Sequence, residues 1–159
     1  MRRILLGTLL ASALVVPAIP AGAAKPQITG GEPFEVVIPF PDVCGEFELV
    51  ATVRGRTRTI TFVDREGDVI RGFSGGQLFV TWTRVDTGFS RTFTISGPGF
   101  YDAEGNAVRG AGRWTTPLQD TGWALVIGNL TLDGLQDGFS LVVDYNGRAT
   151  SICELMAGS

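Results

Sequence analysis

The chain contains no histidine. That removes an imidazole general base, a Ser-His-Asp or Cys-His triad, and a His-ligated zinc. Two cysteines, Cys44 and Cys153, are too few for an iron–sulfur cluster or a four-cysteine metal centre. Lysine occurs once, at Lys25, against twelve arginines, and the 159 residues carry a net charge of −3. A nucleic-acid binder draws its affinity from cations set against phosphates, so this balance argues against one. No cofactor-binding motif is present, and after residue 26 no segment sustains a 3.6-residue apolar stripe.

What is present begins with an export signal. Met1-Arg2-Arg3 is basic, Ile4 to Val16 is almost unbroken apolar sequence, Pro17 and Pro20 end any helix, and Ala21-Gly22-Ala23-Ala24 supplies small residues for cleavage. The apolar run is too short for a membrane span. The expectation is a secreted protein, cut after Ala23 or Ala24 of a signal peptide over 1–24 and released by the general secretory route. A mature chain of roughly 135 residues is an ordinary single-domain length. Loss of Arg2 and Arg3, with no acid removed, takes the charge to −5. Residues 25–33 read as a flexible leader and 34–159 as one domain.

Export decides how the cysteines are read. In an oxidising compartment two cysteines pair. Cys44 lies near the start of the domain and Cys153 near its end, and neither has the close spacing of a redox pair. A structural disulfide closing about 110 residues is expected, with a chain-entropy contribution of ~4–5 kcal/mol.

The body of the chain has a period of two. Phe47, Leu49, Ala51 and Val53 alternate with Glu46, Glu48, Val50 and Thr52. The same alternation runs through 78–83, 89–96 and 141–145. Alternating side chains give one buried and one wetter face, and Thr, Val, Phe and Ile suit a pleated surface. About eight to ten strands are predicted, near 34–39, 47–53, 57–63, 68–74, 77–84, 89–96, 106–114, 122–130, 138–145 and 148–154. Turns are placed at 64–68, 74–76, 86–88 and 102–106, with Asn146-Gly147 as a two-residue hairpin and 117–122 as the longest loop. The fold class is all-β, a single antiparallel β-barrel or β-sandwich with its first and last strands joined by the disulfide.

Three stretches carry a resemblance. They are Phe40-Pro41-Asp42-Val43-Cys44-Gly45-Glu46-Phe47, Gly97-Pro98-Gly99 ahead of a Phe-Tyr-Asp-x-x-Gly-Asn hairpin, and Ser151-Ile152-Cys153-Glu154-Leu155. Together they resemble a group of small exported actinobacterial β-proteins with an early Cys-Gly and a late Cys-x-Leu. The resemblance implies export and the disulfide, and brings no catalytic residue with it.

Candidate binding residues come from charge and aromatic patterning. Arg54, Arg56 and Arg58 occupy alternate positions. If extended, they form a cationic stripe suited to phosphate, sulfate or a uronic or teichoic polymer; the competing reading is a hairpin tip at Gly55 whose charges keep an edge soluble. Trp114, at a strand end, is the aromatic expected to be partly exposed and able to stack on a sugar ring, whereas Trp82 and Trp123 fit the core. Asp64, Glu66 and Asp68 around Gly67, and Asp102, Glu104 and Asn106 around Gly105, have an oxygen-ligand pattern for calcium but lack the complete loop, and read as hairpin turns. Asp133 and Asp137 read as a further turn. Asn129-Leu130-Thr131 spells a glycosylation acceptor. No residue is assigned to catalysis or to a metal.

Three functions stay open. One is an exported, non-catalytic binding module for an apolar small ligand or for a cell-wall glycan or anionic polymer. The second is a structural or surface-interaction protein without a small ligand. The third is a barrel enzyme of the cyclase or isomerase type, placed last because histidine is absent and neither a serine nucleophile elbow nor a metal constellation is expected.

Overall fold

Alternating sequence makes strands here, and each strand except β4 pairs with the next along the chain. The computed structural model describes residues 26–136 and 139–158; the expected signal peptide and Asp137 lie outside them. The strands are β1 (Gln27–Phe40), β2 (Leu49–Val63), β3 (Val69–Arg84), β4 (Ser90–Thr94), β5 (Gly99–Tyr101), β6 (Ala107–Leu118), β7 (Gly122–Gln136) and β8 (Phe139–Ser151), followed by the helix α1 (Ile152–Ala157). All eight strands form one antiparallel sheet in the order β1-β2-β3-β5-β6-β7-β8, with β4 also on β3. β4 and β5 share one row beside β3: Phe79 faces Thr94 and Ser74 faces Gly99, with Ile95 to Pro98 between them. No ladder joins β1 to β8 among the described residues.

Several predicted breaks are instead paired strand. Arg54–Arg58 is not a hairpin tip, because β2 runs through it with partners on both sides. Ser74-Gly75-Gly76 is not a turn but the middle of β3, opposite Thr59, Arg58 and Thr57. Asn146-Gly147 is not a hairpin either; Asn146 faces Asn129 and Gly147 faces Gly128 inside β8. β1 opens at Gln27 rather than at Phe34, so most of the segment read as a flexible leader is paired with β2. β7 continues to Gln136, which places Asp133 in a strand rather than a turn.

Close approach explains these interior glycines. A Cβ on Gly76 would meet the Arg56 carbonyl oxygen at 1.9 Å, one on Gly97 the Ala111 oxygen at 1.8 Å, and one on Gly128 the Asn146 oxygen at 2.1 Å. Gly112 faces Gly128, and Gly128 faces Gly147, in direct register. Gly97 lies against Gly112, within 3.2 Å of its Cα for an added Cβ. A line of glycines therefore crosses the sheet from β3 to β8. The sheet folds along it, as glycine kinks allow long strands to do.

The fold has two apolar clusters. One joins Leu49, Ala51, Val80 and Trp82 to Ile152 and Met156 of α1, with Phe40, Phe93, Trp123 and Leu125 packed on it. Phe40, Trp82 and Trp123 meet at its centre, with ring centroids 4.8–5.8 Å apart. The other joins Leu118, Ala124 and Val126 to Leu130, Leu132 and Val142 across the Gly128 bend, with Trp114 against it. β7 is thus covered on both faces, which is why 123–127 reads as unbroken apolar sequence. Cys44, in the β1–β2 connection, is bonded to Cys153 of α1 with Cα atoms 5.4 Å apart. Arg84 clamps the same end. It stacks on Phe47 at 4.2 Å and pairs with Asp86 at 2.6 Å.

Candidate functional site

Because β2 is paired with β1 and with β3, residues 54–58 stay within the sheet and alternation puts Arg54, Arg56 and Arg58 on one face. Neighbours across the strands share that face: Glu35 and Phe79 flank Arg54, and Pro33 and Gln77 flank Arg56. Between the first two arginines lies a hollow of about 380 Å³, walled by Pro33, Phe34, Gly55, Gln77 and Phe79. Arg58 continues the row and lies over Gly31, where an added Cβ would come within 3.1 Å of its Nε.

These three arginines are exposed and make no ion pair or side-chain hydrogen bond among the described residues. Four other arginines are occupied. Arg71, Arg84, Arg91 and Arg109 each sit over a phenylalanine ring, at 4.2–5.5 Å. Phe62, Phe73 and Phe100 form a cross-strand ladder beneath two of them. Arg65, Arg113 and Arg148 are also exposed and without such partners, but among these unpartnered arginines only Arg54, Arg56 and Arg58 stand in a row along one strand. Free guanidinium groups present planar forks of donors that match carboxylate and phosphate oxygens.

The remaining candidates fall elsewhere. Trp114 is half-buried; its Nε1 donates to the Ala111 carbonyl at 2.9 Å, and its ring lies on Gly99 and Gly110, where a Cβ would collide with it. It stands on β6, apart from the arginines. Asp64 turns its carboxylate back into its own loop, accepting the amides of Glu66 and Asp68 at 3.0 and 2.8 Å. Asp102 likewise accepts the Asn106 backbone amide and side-chain amide. Among the described residues no three acids or cysteines converge as a metal site would require. Asn129 lies on β7 opposite Asn146.

Two features depart from the sequence expectations: a serine-elbow pattern that was not expected is present, and a second hollow was not foreseen. Gly72-Phe73-Ser74-Gly75-Gly76 spells the G-x-S-x-G pattern of a nucleophile elbow. It lies within β3 instead of at a strand-to-helix turn, and Ser74 Oγ is hydrogen-bonded to the Tyr101 hydroxyl at 2.9 Å. A second hollow lies beside that pair, between β2, β3 and β6. Periodicity shows which residues share a face, but not where glycines leave the face empty. No protein-family model, curated protein or solved structure matches the chain.

Proposed function

We propose that this chain is an exported, non-catalytic binding domain that holds an anionic polymer, a glycan bearing carboxylate or phosphate groups, along β2. The observation that carries the reading is the row of three exposed, unpartnered arginines on a strand fixed from both sides, in a protein of net negative charge. Alternate strand positions are ~7 Å apart, so the row offers a cation at regular intervals over ~13 Å. A repeating anion meets such a row without rearrangement of the backbone, and an isolated small anion does not use its length. Phe79 and Pro33 give the hollow apolar walls against which a sugar ring packs.

The test is retention on immobilised polygalacturonate against neutral dextran at low salt. The expected result is retention on the acidic polymer alone, falling with ionic strength. Replacing Arg54, Arg56 and Arg58 by Gln removes charge-assisted hydrogen bonds and lowers affinity by more than about tenfold. Retention unchanged in the triple variant defeats the proposal. A second reading, a surface-interaction protein, is favoured by β1. Its outer edge has no strand partner among the described residues, and Ile28 and Val37 on it are 62% and 59% exposed. Such an edge is a template for pairing with another chain, and concentration-dependent assembly in sedimentation would favour that reading.

A further inference from the structure

The face of β2 opposite the arginines changes character at Gly55. Before it, Leu49, Ala51 and Val53 point into the apolar cluster; beyond it the same face carries Thr57, Thr59 and Thr61. The neighbouring strand changes at the same level. Trp82 and Val80 face Ala51 and Val53, but Gly76, Ser74 and Gly72 face Thr57, Thr59 and Thr61. In the next row Phe93 faces Val80, while Gly99 and Tyr101 face Ser74 and Gly72. One half of this face is core, and the other half is glycine and hydroxyl.

The glycines leave space there. A cavity of about 380 Å³ is lined by Thr57, Thr59, Ser74, Tyr101, Thr115 and Trp114, with Leu78 and Ile95 at the apolar end. An adjoining hollow of about 320 Å³ shares Thr59 and Tyr101 with it. The first volume lies at the small end of the range of ligand sites. Ser74 and Tyr101 are bonded to each other, whereas the hydroxyls of Thr57, Thr59 and Thr115 have no protein partner among the described residues. No charged side chain lines the larger cavity. Asp102, at the far end of the smaller one, is held by Asn106. The Trp114 N–H is already used, so its ring is what it offers.

We infer that this cleft is a binding site for a neutral, polyhydroxylated ring, a sugar unit without charge. Converging hydroxyls act as both donors and acceptors, as does each hydroxyl of a sugar, and an indole and two aliphatic side chains accept the less polar ring face. A charged group would enter with no counter-charge to meet it. A wholly apolar occupant would strip water from three hydroxyls and give them no partner. The inference does not rest on the arginine stripe, which lies on the other face of β2.

The experiment uses the disulfide-bonded protein with two neutral disaccharides, cellobiose and N,N′-diacetylchitobiose, at millimolar concentration, followed by tryptophan fluorescence. The expected result is a saturable change with at least one of them that Trp114→Phe removes. Thr59→Val, which keeps the shape and the strand preference, weakens binding roughly three- to tenfold at an unchanged melting temperature. Arg54→Gln with Arg56→Gln leaves the affinity as it was, so failure of the arginine reading and of this one are told apart. No saturable change with either disaccharide overturns the inference. So does saturable binding of the neutral apolar probe N-phenyl-1-naphthylamine that tightens in Thr59→Val, because the cleft then belongs to an apolar ligand.

Discussion

Replacing Gly147 by alanine tests whether the sheet is folded along its glycines. Gly147 faces Gly128 across the β7–β8 ladder and has a φ of +155°. A Cβ added there stands 2.1 Å from the Ile127 carbonyl oxygen and 2.9 Å from the Gly128 Cα, where ordinary contact begins at 3.4 Å. The two backbones must separate by more than an ångström, and neither obstacle is a side chain that can swing aside. Losing two ladder hydrogen bonds costs ~1–3 kcal/mol. The glycine-only backbone conformation adds a strain on the order of 1–3 kcal/mol. Together these give a destabilisation of roughly 2–6 kcal/mol. The control is Gly105→Ala. Gly105 has a φ of +83° in the β5–β6 turn, but a Cβ there meets nothing within 4 Å. It bears the left-handed strain alone, ~1–2 kcal/mol. Urea unfolding of both variants with the disulfide intact, read as shifts in midpoint at constant slope, separates strain from collision. A Gly147→Ala loss no larger than that of Gly105→Ala refutes the argument, since close strand approach would then have no energetic weight.

Three further outcomes follow from other parts of the molecule. Replacing Cys44 and Cys153 together by alanine costs ~4–5 kcal/mol if closure of the long loop acts through the unfolded chain, and a loss under ~1 kcal/mol in urea unfolding contradicts that account. Trp82 Nε1 is buried and has no hydrogen-bond partner among the described residues, so Trp82→Phe removes ring area but no hydrogen bond. It costs ~1–2 kcal/mol against ~3–5 kcal/mol for Trp82→Ala, and equal losses in thermal unfolding reveal a partner for the indole. Asp86 is held below the ordinary aspartate value of 3.8 by its hydrogen bond from Arg84. Its contribution is therefore present above that value and lost as pH falls through the lower, folded-state value. Stability of the native chain falls slightly more steeply than that of Asp86→Asn below pH ~4, and parallel acid unfolding curves rule the pair out as a contributor.

The sequence showed the class of this fold because period-two alternation is a local property, and the disulfide because the expected export made pairing of two cysteines the default. It misled where glycine had two meanings. Gly75-Gly76 and Asn146-Gly147 have the composition of turns, and only their neighbours show that Gly76 and Gly147 stand where strands come too close for a Cβ. The same error divided β2 at Gly55 and made the arginines a hairpin tip. Extended alternation of Arg54, Arg56 and Arg58 was legible; their lack of partners was not, because it depends on where Glu35 and the phenylalanines of other strands fall. The hydroxyl cleft was hidden for a related reason. Threonine suits any strand, and its hydroxyl becomes informative only when the residues facing it are glycine and serine.

A sheet folded along glycines keeps count. Each of β3, β6, β7 and β8 must deliver its glycine to the same crossing line, so the number of residues on either side of that line is fixed as well as their kind. One residue inserted between Gly112 and Leu118, where β6 pairs with β7 without a bulge, moves half a strand off register and turns its core side chains to the solvent. The exposed loops at 64–68 and 86–88 carry no such constraint. Length variation in this protein belongs in those loops, and tolerance to insertion, scanned along the chain, would trace the fold line as a row of forbidden positions.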